Sequence, residues 1–590
     1  MLTYRKLFTM LLMMTVVLAL YMLTQTYREI VLLYDAWESI PEAAVRSSGV
    51  WESPDGAKIQ GRHTVLIGDR ESGMGRAAAQ WCVWGKRSLE SFGSLAEYLE
   101  QPDGEAQVLC IDSSRLSLPG DAALLAELAG REMVIVFGGM PGAAALGASP
   151  ELRRILGIEQ VLSDRTELFG LYLSEGFLLG GEAICRLDGE DPELNAPWYR
   201  LGSRTKTYLS GLTGSGEEAG APEERLPVVW RNTLEKAQVF AVNGDYLDGL
   251  TGPGLLDAML AQSGSYVLYP VVNAQNLTVA DYPSFTPENE ARLEELYANN
   301  HKMLLQNIIW PGLVALCEQT GFQMTCFMTP QIRYSEEYAP QADNLTYYLR
   351  QLTQHGGEAG WSAGIQNTQD AAEKWKRDQA FFREAGDGLL HTSVCVLRPE
   401  ARDFLPFLES GGAPEVRTVT GLCGEGEPLL AFAGENLTFQ GITHRAAQYG
   451  FRDELKNRSL QTALGYTNIL VEMDRVTWLE SEADQWENYF KAFSRNIGSQ
   501  WTPFSGFERT SLTESDSRVR SFLALDYETR REGDVITLNV ENRQGTVSFL
   551  LRTRGKEIKS VSGGTAAGLE EGVWLLSVQA DEVRIELESR

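Results

Sequence analysis

The chain has 590 residues, too many for one hydrophobic core, so several domains are expected. Apolar (43%) and charged (22%) fractions are ordinary, which excludes a mainly disordered chain. The 80 acidic residues outnumber the 52 basic ones to give −28, which argues against nucleic acid and anionic lipid as partners and favours a cationic partner or plain solubility.

Arg5 and Lys6 precede an unbroken apolar run from Leu7 to Leu23, about the length that crosses a bilayer. No small-residue cleavage site follows, which predicts a signal anchor rather than a removed signal peptide. The positive charge lies before the run, and Arg28 and Glu29 balance after it. That pattern predicts a single-pass cell-membrane protein with its N-terminus inside and the bulk of the chain extracytoplasmic. Residues 1–27 are read as cytoplasmic tip and transmembrane anchor, and 28–61 as linker. The seven cysteines are scattered, with no metal-type spacing, and read as buried free thiols.

Residues 62–265 alternate apolar strand-like runs, "HTVLIGD", "AQVLCID", "EMVIVFGG" and "AQVFAVNGD", with helical patterns, the sign of a parallel α/β sheet. The loop "GDRESGMGR" resembles a phosphate loop but has Met74 where a lysine must reach the phosphates, so nucleotide binding is not expected. Residues 266–510 continue the alternation and predict a barrel-like α/β domain. It opens with "YVLYPVVNAQNLTVADYPSF" and holds "HGGEAGWSAGIQ" (355–366), read as a glycine-rich turn after an amphipathic helix. Residues 518–590 show short alternating strands, a β-sandwich.

In the 266–510 unit a strand ending in Asp-x-Pro ("ADYP") is followed by a long helix, a strand and a G-x-E-x-G segment ("GGEAG"). This order resembles polysaccharide deacetylases of the NodB type. With "RNTLEKAQVFAVNGDYLDGLTGPGLLDAML" and "GYTNILVEMDRVTW", the chain after the anchor resembles the PelA-like proteins of clostridial exopolysaccharide operons. The resemblance implies a multidomain α/β protein: an amidotransferase-like parallel α/β domain, a NodB-like (β/α) barrel and a C-terminal β-sandwich.

Active members of that family hydrolyse an N-acetyl group with a divalent metal, an aspartate base, an aspartate ligand and two histidine ligands. Here Ala280 takes the base position and Asp281 keeps the carboxylate. Glu358 and Gly360 match, Gly357 replaces a histidine, and Ser362 and Gln366 stand at the two ligand positions. A hydroxyl and a carboxamide are poor ligands for a zinc-like ion, so a barrel without metal, cofactor or deacetylase activity is expected.

Two alternatives stay open: His355, His391 or His444 supplying a rearranged site, and metal-free hydrolysis by paired carboxylates such as Glu472 and Asp474. Asp281, Tyr282, Glu358, Trp361, His391 and Trp478 are the candidates for carbohydrate binding, with Trp486, Tyr489 and Trp501 further along; aromatic faces stack on sugar rings, or simply fill a core. The resemblance implies exopolysaccharide assembly, an amino-sugar polymer that can be cationic, and synthase or export partners. A carbohydrate deacetylase or glycoside hydrolase with a rearranged site, or an envelope ligand sensor, are the other readings.

Overall fold

The computed structural model describes residues 62–589 apart from 101–105, 119, 188–192, 217–219, 334–338, 365–370, 386–388, 398–403, 425 and 435. The expected anchor and linker, and Gln366, lie outside the described residues. Among the described residues no helix is long and apolar enough to cross a membrane.

The protein is a mixed α/β chain. The first unit is built on a nine-stranded sheet. Its strands Ser88–Phe92, His63–Ile67, Val108–Asp112, Val134–Gly138 and Ala237–Val242 run parallel in that spatial order. Helices Gly73–Trp84 and Gly252–Ser263 bury Trp81, Leu255 and Met259 on one face. Helices Gly120–Leu128 and Pro150–Leu156 bury Leu125, Leu152 and Ile155 on the other. Both faces are therefore covered, which is why these strands are continuously apolar. Antiparallel strands extend the sheet from Leu226–Leu234 outward.

The second sheet also has nine strands. Its parallel members are β1 (Ala274–Ser284), β2 (Met324–Thr329), β3 (Glu358–Ser362), β4 (Ser393–Val396), β5 (Thr418–Leu422), β6 (Thr438–Ile442, continued by His444–Arg445) and β7 (Tyr466–Glu472). They pair in sequence from β1 to β6, and β7 pairs with β1. The end of β6 crosses to β7 through Thr443 N–H on the Asn468 carbonyl and the partners His444 and Ile469, so the ladder closes on itself. Inside, Thr278, Asn468 and Thr420 bond across the lumen (2.7 and 2.8 Å), below an apolar layer of Ala280, Phe327, Cys395, Ile442 and Leu470. Outside pack helices that include α1 (Ala371–Ala385) and α2 (Phe451–Leu464).

Three readings change. The "GGEAGWS" turn is largely strand β3: a Cβ on Gly360 would lie 2.5 Å from the Phe327 ring, so glycine there lets the strand run beside Phe327. Tyr266–Val271 does not belong to the barrel, because it pairs with Val547–Thr553. The start of the 518–590 segment is not a strand but the end of helix α3 (Leu512–Ala524), started by a Ser511–Glu514 capping box and braced by Arg520 on Asp516 (2.7 Å). Two four-stranded sheets, one including Tyr266–Val271 and one including Asp526–Glu532, bury Ile536, Phe549, Leu576 and Ile585 between them.

Candidate functional site

Parallel barrels present their strand C-termini at one rim, and side chains alternate in and out along each strand. Asp281 and Ser362 meet at that rim. The Ser362 hydroxyl donates to Asp281 Oδ1 at 2.6 Å and accepts from Gly364 N–H at 3.2 Å. Asp281 holds a left-handed φ of 57°, a conformation that costs a non-glycine residue about 1 kcal/mol and gathers at functional positions. A Cβ on Gly364 would lie 2.7 Å from Oδ1, so glycine lets the chain pass over the carboxylate.

Glu472 ends β7 beside them, paired in register with Ala280 and bridged to Arg445. The Cys395 thiol between these carboxylates is pushed well up, by burial first and then by Asp281 and Glu472. Behind Ser362, the Lys374 ammonium donates to the Ser362 carbonyl (2.9 Å) and to Asp378 (2.5 Å), which also accepts from the Trp361 indole (2.9 Å).

The other expected residues lie elsewhere. Trp361 faces away from Ser362 into the helix layer, 0% exposed and edge-on to Trp375. Tyr282 is equally buried, stacked on Trp310 with its hydroxyl on the Leu305 carbonyl. Neither offers a face to a sugar: Trp361 points outward by the alternation of β3, and the left-handed Asp281 breaks the alternation of β1, so that Tyr282 joins outward-facing Leu277 and Val279 under the helices. Trp486, Tyr489 and Trp501 are core side chains too. Trp478 is half-buried, its indole on Glu288 (2.9 Å) and Arg333 over its ring.

Gly357 and Glu358 sit at the opposite end of the barrel. The Glu358 carboxylate accepts from Thr513 N–H (3.0 Å) and Thr325 Oγ1 (3.1 Å), fixing the first turn of α3 beneath the lumen. Burial raises its pKa, partly offset by those donors. This carboxylate is structural here: Glu358→Ala should cost about 2 kcal/mol in urea unfolding, by stranding both donors, and Glu358→Gln clearly less.

The imidazoles do not converge on Asp281. His355 ends its helix beside Glu318 (3.4 Å), and His391 lies in the core against Phe382 and Gln379. His444 packs on Trp501 and Tyr449. Glu472 and Asp474 separate, the first at the rim and the second opening a short helix. Among the described residues no cluster of three or more His, Cys, Asp or Glu side chains has a metal-holding arrangement. A carboxylate closed on a hydroxyl does not fit a zinc-like ion.

Sequence reasoning missed the Lys374–Asp378 pair, the Arg445–Glu472 bridge and a buried Ser284 Oγ to His301 Nε2 contact (3.1 Å) beside a π-helical turn, Leu305–Ile309. The i,i+4 spacing of Lys374 and Asp378 was the one local signal.

A family model described as an uncharacterised protein conserved in bacteria (DUF2194) matches residues 217–383. No curated protein matches the chain. Among solved structures, the chain is similar to a putative ThuA-like protein from Bacteroides uniformis (12% identity, 36% of this chain and 94% of the other, TM-score 0.25). It is also similar to a cytoplasmic protein from Salmonella typhimurium LT2 (12%, 33% and 92%, TM-score 0.23). A β-galactosidase from Bacillus circulans sp. alkalophilus matches at 12% identity over 36% of this chain, TM-score 0.23; the chain spans 34% of that enzyme.

Proposed function

We propose that the chain is a membrane-anchored, extracytoplasmic component of exopolysaccharide assembly whose NodB-like barrel no longer deacetylates and instead binds polysaccharide beside synthase and export partners. The observation that carries this reading is the Ser362 hydroxyl closed on Asp281. Those positions would hold a ligand histidine and a ligand aspartate in an active relative, and here they satisfy each other. The Ala280 methyl, buried in the apolar layer, supplies no base. Purified full chain given zinc and an N-acetylated oligosaccharide should release no acetate, yet be retained on immobilised amino-sugar polymer. Metal-dependent acetate release would overturn the reading.

One observation favours a second reading, a glycoside hydrolase: Asp281 and Glu472 end neighbouring strands at the same rim. Two carboxylates flanking a sugar bond can share acid and base roles. This reading requires new reducing ends from a polysaccharide, formed by the wild type and lost in Glu472→Gln.

A further inference from the structure

The first α/β unit, α2 and the C-terminal sandwich meet at the segment 174–181. Arg552 of the sandwich donates to the Phe177 and Gly176 carbonyls (2.7 and 3.2 Å), and Glu570 accepts from Gly180 N–H (2.5 Å). From α2, Thr462 Oγ1 accepts from Leu179 N–H (3.0 Å), and Arg458 donates to the Gly181 carbonyl (2.8 Å). Phe177 and Leu178 are buried in the core of the first unit, while Leu179 packs with Leu550 and Leu575 of the sandwich.

Arg552 is also one of two guanidinium groups whose charge reaches Asp257. That carboxyl is buried on the helix Gly252–Ser263 and accepts from the Trp81 indole at 2.7 Å. Burial lifts it to about 7, against the pull of Trp81, Arg87 and Arg552. Cys82 from the helix Gly73–Trp84, Tyr269 from the strand Tyr266–Val271 and Tyr527 from the sandwich face it too, with Arg62 over the Tyr527 ring. α2 meets the same helix through Ser459, whose hydroxyl accepts from Gly254 N–H at 2.9 Å. Arg552 serves the 176–177 carbonyls through Nη2 alone. Its Nη1 is buried and makes no hydrogen bond, with the Tyr269 hydroxyl beside it.

We propose that Asp257 is a proton-operated latch: protonated, it leaves Arg552 on the Gly176 and Phe177 carbonyls, and ionised, it draws Arg552 off them and loosens the segment 174–181. A neutral carboxyl competes weakly with two peptide carbonyls for a guanidinium. A carboxylate competes strongly, because a charge-assisted bond is about twice as strong as a neutral one and can engage both guanidinium nitrogens. The buried Nη1 would then gain an acceptor, and Gly176 would keep only the Gln262 amide (3.0 Å). The sign follows from linkage: a carboxyl raised by the native arrangement supports that arrangement at low pH and ceases to as pH rises through its folded value. The inference goes beyond the polysaccharide reading and does not depend on it.

Two measurements on the purified full chain test the latch. In tryptophan-labelled protein, the indole NMR signal of Trp81, assigned by its loss in Trp81→Phe, should move with pH about a midpoint near 7 and stay fixed in Asp257→Asn, which keeps an acceptor for the indole. Amide hydrogen exchange of 174–181, corrected for the pH dependence of free peptides, should quicken about tenfold from pH 6 to pH 8. It should stay slow at both values in Asp257→Asn and run fast at both in Arg552→Met, which cannot hold the carbonyls. A Trp81 signal that does not titrate overturns the latch. So does exchange that ignores pH in the wild type, or that quickens equally in Asp257→Asn.

Discussion

Below pH 6.5 the folded protein is expected to lose stability, because three imidazoles sealed inside it refuse protons that the unfolded chain accepts. Burial holds His301 down to about 4 and His391 down to about 3, and shifts His444 in the same direction. Free imidazoles titrate near 6.5. Between 6.5 and 4 the unfolded state therefore binds more protons than the native one, so stability falls as pH falls. Three carboxyls oppose this. Asp257, buried and hydrogen-bonded by the Trp81 indole, is raised to about 7, and Asp248 and Glu358 move the same way. Each stabilises the fold at low pH and loses that contribution as pH rises through its folded value. The three imidazoles act across the whole window, so the balance is expected to fall with pH, each unopposed proton being worth about 1.4 kcal/mol per pH unit, a large share of a stability of about 5–15 kcal/mol. Urea unfolding followed by tryptophan fluorescence at pH 7.5, 6.5, 5.5 and 4.5 should show the midpoint falling. His391→Phe should flatten the dependence, and a pH-independent midpoint would refute this account.

The second large effect lies behind the rim. Lys374 and Asp378 are both 1% exposed, and the ammonium also serves the Ser362 carbonyl. Asp378→Ala takes away the carboxylate that the buried ammonium donates to and strips the Trp361 indole of its acceptor. The expected loss is about 3–5 kcal/mol. Lys374→Met combined with Asp378→Leu removes both charges and should recover most of it, since an apolar pair of similar volume needs no solvation. Chemical denaturation of the single and double variants measures the coupling. A double variant as unstable as Asp378→Ala would mean that the hydrogen bonds lost with the pair, to the Trp361 indole and the Ser362 carbonyl, rather than the pairing of charges, carry the energy.

The legible parts of the sequence were those fixed by local period. Runs such as "HTVLIGD" and "AQVLCID" are apolar because helices cover both sheet faces, and they are parallel strands. The Asp281–Ser362 approach was legible too, as two positions of one motif on strands separated by β2. Where period was outweighed by glycine content, β3 passed for a turn. The same alternation, followed one step further, would have turned Trp361 outward once Ser362 faced in. Tyr266–Val271 was illegible for a different reason: its partner lies some 280 residues on, and nothing local says which sheet a strand joins. Arg445 meeting Glu472 likewise depends on β6 bending to close the ladder.

The strand Tyr266–Val271 and the helix α3 together make the C-terminal sandwich discontinuous. One edge strand precedes the barrel and the rest follows it, so the barrel is an insertion between two pieces of a single clasp. A chain cut before Ser511 would lose its floor, the N–H groups that Glu358 holds, and most of the partner sheet at one stroke. Barrel and sandwich therefore stand or fall together, and since Phe451 and Leu455 of α2 share a core with Trp81, Leu255 and Met259, the first α/β unit is bound into the same body.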